Sequence, residues 1–164
     1  MNACRILRRQ EATPGVSAGS AVIFTMSKVF LDTNVLVYAS DHGQAVKRAR
    51  AVALLRAIGE GDVRPVISTQ VMQEFYVTAT RKLGIEPLAA KGLLHDFEHF
   101  EVIPIQPSLI NEAIDCSVLN SLSFWDALII VSAEKAQCER LWTEDLNHGQ
   151  VVRGVKIDNP FRDA

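Results

Sequence analysis

Asp32, Glu74, Asp126 and Asp145 are the residues whose type and setting suit chemistry best, because each is an acid placed against an apolar run. Asp32 directly follows Val29, Phe30 and Leu31, where burying an unpartnered charge would be costly. Asp145 repeats that arrangement two residues after Leu141, Trp142 and Thr143. Glu74 is flanked by Val71, Met72, Phe75, Tyr76 and Val77, while Gln70, Gln73, Arg81 and Lys82 already account for the polar positions of its segment. Asp126 precedes Ala127, Leu128, Ile129, Ile130 and Val131, so it is an acid carried into an apolar helix start. Each has a local alternative. Asp32 and Asp145 can cap a following turn, and Ser123-x-x-Asp126 is a capping-box pattern.

If the four converge, their repulsion must be offset: two unit charges about 4 Å apart cost about 4 kcal/mol at an effective dielectric of 20. A bound cation removes that cost. An all-carboxylate donor set selects hard ions such as magnesium or manganese, which accept phosphate oxygens, orient and acidify water, and neutralise charge in a phosphoryl transition state. The positive end of a helix dipole at Asp126 would favour its ionised form.

The elements that must position these acids alternate between strand and helix. Val29–Leu31 begins a buried strand that the apolar Val35–Tyr38 continues. Gln44–Ile58 carries Ala45, Ala49, Val52 and Leu55 on one face and reads as a helix stopped by Gly59. Pro65–Ile67 is a short strand, after which Ser68 or Thr69 can cap a helix to about Leu83, with Gly84 suited to its left-handed C-terminal position. Further helices are expected from Pro87 to about His99, Ser108 to about Leu119 and Ser123 to about Gln137. Val102–Ile105, Leu141–Thr143 and Val155–Ile157 read as strands. Strands separated by helices imply an α/β fold with a parallel sheet covered on both faces. In such a sheet ligands bind beyond the carboxyl ends of the strands, where Asp32 and Asp145 would stand.

The 164 residues are 48% apolar, enough for one domain with its own core. No run approaches the roughly 18 uncharged apolar residues of a membrane helix. A formal net charge of −2 does not advertise nucleic-acid binding, so any such activity must come from a local site. Cys4, Cys116 and Cys138 form no close pair, which fits a reducing cytoplasm and buried thiols rather than disulfides or a cysteine zinc site. Residues 1–25, with Arg5, Arg8, Arg9, Pro14 and Gly15 but no periodicity, read as a disordered or non-native tail before a domain spanning 26–164. The tail holds three arginines and one glutamate, so the domain is two charges more negative than the whole chain.

Phe30-Leu31-Asp32-Thr33-Asn34-Val35-Leu36, Gln73-Glu74-Phe75-Tyr76, Ser123-Phe124-Trp125-Asp126-Ala127 and Trp142-Thr143-Glu144-Asp145-Leu146 together resemble the PIN-domain ribonucleases, especially VapC-type toxins. The segments occur in the family's order, and the similarity spans Met26 to Phe161. The resemblance implies a PIN-like three-layer α/β/α sandwich around a central parallel sheet. It implies an endoribonuclease dependent on Mg2+ or Mn2+, neutralised by a cognate VapB-type antitoxin, and a homodimer. It assigns Asp32, Glu74, Asp126 and Asp145 to the acidic metal and catalytic site, with Thr33, Asn34 and Thr143 as neighbouring polar contacts.

Other signals are weaker. His95 and His99 have a zinc-compatible spacing but suit an exposed helix surface better, and no phosphate-binding glycine loop is present. Lys47, Arg48 and Arg50, with Arg81 and Lys82, could meet phosphates or an acidic partner, although solvated faces explain most such clusters. Trp125 reads as a core residue rather than a base-stacking platform. Two rival functions stand. A haloacid-dehalogenase-like phosphatase also opens on a strand ending in Asp, but its second acid is replaced here by Asn34. A non-catalytic RNA- or protein-binding module would keep the acidic pocket without using it.

Overall fold

The computed structural model describes residues 27–61 and 63–162; the tail expected over 1–25 lies outside them. The chain runs β1 (Ser27–Leu31), α1 (Thr33–Ser40), α2 (Ala45–Glu60), β2 (Val63–Ser68), α3 (Thr69–Arg81), α4 (Pro87–Phe97), β3 (Glu101–Ile103), α5 (Pro107–Asn120), α6 (Phe124–Lys135), β4 (Arg140–Trp142), β5 (Val151–Val152) and β6 (Val155–Asp158). The sheet order is β3-β2-β1-β4-β6-β5. Every neighbouring pair is parallel except β5 with β6.

This order sorts the helices. From β1 the chain steps to β2 and then β3 on one side, and later to β4 on the other side of β1, so crossovers of one hand place α1–α4 and α5–α6 on opposite faces. Accordingly α1 packs on α2 and α3, α3 packs on α4, and α5 pairs with α6, which lies against β2, β4 and β6. The expected three-layer α/β/α sandwich is therefore the fold. Strand residues Phe30, Leu31, Val66, Ile67, Leu141 and Ile157 are fully buried between the helical layers, as near-continuous apolar strands of a doubly covered sheet must be. Among the described residues no single helix is long and apolar enough to cross a membrane.

Three local expectations are corrected. Val35–Tyr38 does not extend β1; it lies in α1, because the Asp32 carboxylate accepts from the Thr33 amide and turns the chain at once into a helix. Val35, Leu36 and Ala39 then form its buried face, a spacing that a short apolar run disguises as strand. Helix α2 passes through Gly59 to Glu60, and it buries Ala51, Leu55 and Ile58 while Ala45 and Ala49 are exposed. Alanines on several sides gave that segment no clear face. Finally, the short β5 was not anticipated. It forms a hairpin with β6 across Arg153 and Gly154, both at positive φ (51° and 81°), the geometry that a tight two-residue hairpin demands.

Candidate active site

Asp32 sits where β1 ends and α1 begins, at the point where the sheet order reverses and the carboxyl ends of β1 and β4 open a crevice. Its backbone amide donates to the Trp142 carbonyl at 3.0 Å, continuing the β1–β4 ladder to the floor of that crevice. The side chain is 8% exposed and fully engaged. Its Oδ1 accepts from the Thr33 amide at 2.7 Å, and its Oδ2 accepts from the Thr143 hydroxyl at 2.6 Å and from the Asn34 amide at 3.1 Å.

Three of the four predicted acids meet through these neutral donors. Thr33 donates its hydroxyl to Glu74 Oε2 at 2.6 Å, joining α3 to the β1–α1 turn. Asn34 Nδ2 also donates to Asp145 Oδ2 at 3.2 Å, and the Asp145 amide donates to Thr143 Oγ1 at 3.1 Å. Burial pushes the Asp32 carboxyl up to about 7; the hydrogen bonds from Thr143 and Thr33 oppose the shift, and the charges of Asp145 and Glu74 reinforce it.

Asp126 stands at the margin of this network. Its carboxylate accepts from the Ser123 hydroxyl at 2.6 Å while its amide donates to the same hydroxyl oxygen at 3.1 Å, so Ser123 caps α6, and Asp126 meets the cap at the hydroxyl rather than at the backbone amide of a capping box. Its link to the other acids runs through the preceding residue: Gln70 Nε2 donates to Glu74 Oε1 at 2.9 Å and to the Trp125 carbonyl at 3.4 Å. Among the described residues no three Asp, Glu, His or Cys side chains are gathered closely enough to hold a metal ion directly. If Asp126 serves the acidic site as well as the helix start, Ser123→Ala should lower unfolding stability by about 1 kcal/mol and leave any activity of the site in place, whereas Asp126→Asn should remove that activity at small stability cost. Denaturant melts and turnover of both variants check this.

Gln70 is the site residue that sequence reasoning missed. Counted there as a surface polar position, it is 3% exposed, and its spacing of four from Glu74 on one helix was the available signal. Gln70 Oε1 and Asn34 Oδ1 are both buried without a hydrogen-bond partner. Trp125, expected in the core, is instead 61% exposed. Lys47 does not present a free charge: it pairs with Glu144 at 2.7 Å and lies over the Tyr38 ring, and Tyr38 also donates to Glu144. His95 and His99 are exposed, His95 in the last turn of α4 beside Glu98 and His99 in the turn after the helix has ended, so the two do not share a helix face. Cys116 and Cys138 are buried, and desolvation raises both thiols, Cys138 to about 12, which removes thiolate chemistry near neutral pH.

A family model described as the PIN domain matches residues 29–153. No curated protein matches the sequence. Among solved structures, VapC20 of Mycobacterium tuberculosis, described as a sarcin-ricin loop cleaving toxin, is similar at 19% identity and a TM-score of 0.58, over 71% of this chain and 89% of that one. A toxin-antitoxin complex from Klebsiella pneumoniae matches at 20% identity and 0.58, over 80% and 97%. VapBC2 of Rickettsia felis, bound to a DNA fragment from its promoter, matches at 16% identity and 0.58, over 80% and 98%. The fold is shared with all three, and the family match covers all four predicted acids, Thr33, Asn34 and Thr143: the chain belongs to the PIN domain family.

Proposed function

We propose that this protein is a metal-dependent endoribonuclease, acting on RNA phosphodiesters as the toxin of a toxin-antitoxin pair. The observation that carries the reading is the joining of Asp32, Glu74 and Asp145 through Thr33, Asn34 and Thr143 at the sheet's switch point. The donor set suits a hard cation such as Mg2+ or Mn2+. Every candidate ligand is an oxygen, burial raises the Asp32 carboxyl to about 7, a cost to its charged form that a bound cation would relieve, and two buried amide oxygens lack a partner. Asp32, Glu74 and Asp145 would hold the ion partly through its water shell, since no three of them stand close enough to ligate it directly, with Asp126 completing the acidic set.

When bound, a divalent cation supplies charge neutralisation at the phosphate and acidification of water. The chain's own residues prepare the ground. Thr143 and the Thr33 amide fix the Asp32 carboxylate, Thr33 and Gln70 fix the two oxygens of Glu74, and Asn34 spaces Asp145 from Asp32. Such prior fixing of charged groups lowers the reorganisation that a phosphoryl transition state would otherwise demand.

A cleft of about 840 Å³ between α1–α2 and α3–α4, lined by Leu36, Ala39, Leu55, Leu93 and Phe97 with Arg48, supports a VapB-type antitoxin as the partner. It suits an amphipathic segment, and the Arg48 Nε, buried without a partner, suits an acceptor on that segment. The exposed stripe Ile110, Ile114 and Val118 along α5, at helical spacing, supports a homodimer. Unpaired buried thiols accord with a cytoplasmic location.

The deciding assay offers the purified protein structured RNA and p-nitrophenyl phosphate, each with magnesium or manganese. Cleavage of RNA that a chelator stops is the expected result. Rapid turnover of the small ester with RNA intact would transfer the site to the phosphatase reading. RNA bound but never cut would transfer it to the binding-module reading.

A further inference from the structure

Building on the nuclease function proposed above, we propose that Trp125 is a nucleobase platform, stacking an unpaired base of single-stranded RNA beside the phosphodiester that is cut. Trp125 is the second residue of α6 and directly precedes Asp126, so its Cα lies about 3.8 Å from that of a candidate acid. At 61% exposure its indole leaves in water the surface that most tryptophans bury. The ring is nonetheless held. Phe124, partly buried against the core, meets it edge to face with centroids 5.2 Å apart at 70°.

The root of the side chain is tied to the site. Gln70 Nε2 donates both to the Trp125 carbonyl and to Glu74, so the start of α6 and the carboxylate of α3 share one buried amide. A base resting on the indole would therefore be fixed relative to Glu74 as well as Asp126. The charge distribution asks for such a contact. The chain carries −2, and Lys47, the basic group beside the Asp145 loop, is committed to Glu144, so phosphate attraction alone would be weak. Stacking supplies affinity without a basic surface and accepts any base, provided that the base is unpaired.

The test uses the full chain and a short single-stranded RNA, with a chelator present so that binding is read without cleavage. The chain has two tryptophans, and Trp142, half buried, is replaced by Phe in all versions so that fluorescence reports Trp125 alone. Expected results are quenching of Trp125 on RNA addition and, read from the anisotropy of the end-labelled RNA, a Kd about tenfold weaker in Trp125→Leu, partly restored in Trp125→Phe. The same oligonucleotide with abasic sites should bind equally to the protein that keeps Trp125 and to Trp125→Leu. With metal restored, Trp125→Leu should raise KM more than it lowers kcat.

Unchanged RNA affinity in Trp125→Leu overturns the proposal, as does an equal loss with abasic RNA. Conversion of a dimer to a monomer by Trp125→Leu, with RNA binding lost in step, also overturns it and assigns the indole to a second copy of the chain. If the protein that keeps Trp125 cleaves RNA and the variant matches it, only the stacking assignment falls; if the former neither binds nor cleaves RNA, the nuclease function falls with it.

Discussion

Asp32→Asn is expected to lower RNA cleavage by about a thousandfold while leaving the domain folded. The carboxylate is the member of the acidic set with the most contacts, bonded to Thr33, Asn34 and Thr143 and sensing the charges of Glu74 and Asp145. Folding should not suffer, because burial holds the Asp32 carboxyl near 7 against the ordinary 3.8. The sign is fixed by linkage. Between those values the folded protein retains a proton that the unfolded chain has released, so stability falls as pH rises through the window, and the full penalty is present above 7. Asparagine carries no such penalty. In chelator at pH 8 the variant should therefore be more stable than the parent, by a few kcal/mol at most, with the difference vanishing toward pH 4. Part of the gain is offset, since the new amide would face the donors Asn34 and Thr143; Asn34 can answer by turning its unpartnered Oδ1 inward. Equal cleavage by variant and parent would remove Asp32 from the catalytic set, and a less stable variant at pH 8 would show that its hydrogen bonds outweigh its desolvation.

Divalent cation is expected to be required for cleavage and to stabilise the folded protein. At a free Mn2+ or Mg2+ concentration 100 times Kd, the gain in unfolding free energy should be about 2.7 kcal/mol, seen as a raised melting temperature that chelator reverses. Asp32 must be ionised to serve as a ligand, so affinity should fall by about tenfold per pH unit below 7, and binding should release a proton in that range. Calorimetric titration in two buffers of different ionisation enthalpy counts that proton directly. Glu74→Gln and Asp145→Asn should weaken the effect. Identical melting curves with and without cation, alongside RNA cleavage that survives chelator, would refute metal dependence.

Much of the fold is legible in the sequence. The apolar runs around Phe30, Val66, Leu141 and Ile157 announced buried strands, and intervening helical periods required crossovers, so a parallel sheet with Asp32 at a strand end followed from local pattern and handedness alone. Ser68, Gly84 and Ser123 marked helix ends by their own chemistry, as hydrogen bonds and a φ of 66° at Gly84 record. Periodicity failed where it carried little information. Val35–Tyr38 is short and apolar throughout, and only the Asp32 cap decides that it is helical.

The site divides in the same way. Residue type and chain order singled out Asp32, Glu74, Asp126 and Asp145, because an acid inside an apolar run is costly wherever the fold puts it. Their mutual arrangement depends on contacts spanning 41 to 111 residues, such as Thr33 with Glu74 and Thr143 with Asp32, which no local pattern encodes. Tertiary structure alone decided that Thr33, Asn34 and Thr143 interleave three of the acids, that Gln70 is buried rather than solvated, and that Trp125 faces water. Burial is a property of what packs on both sides of a residue, and a helix of either exposure can be written with the same letters.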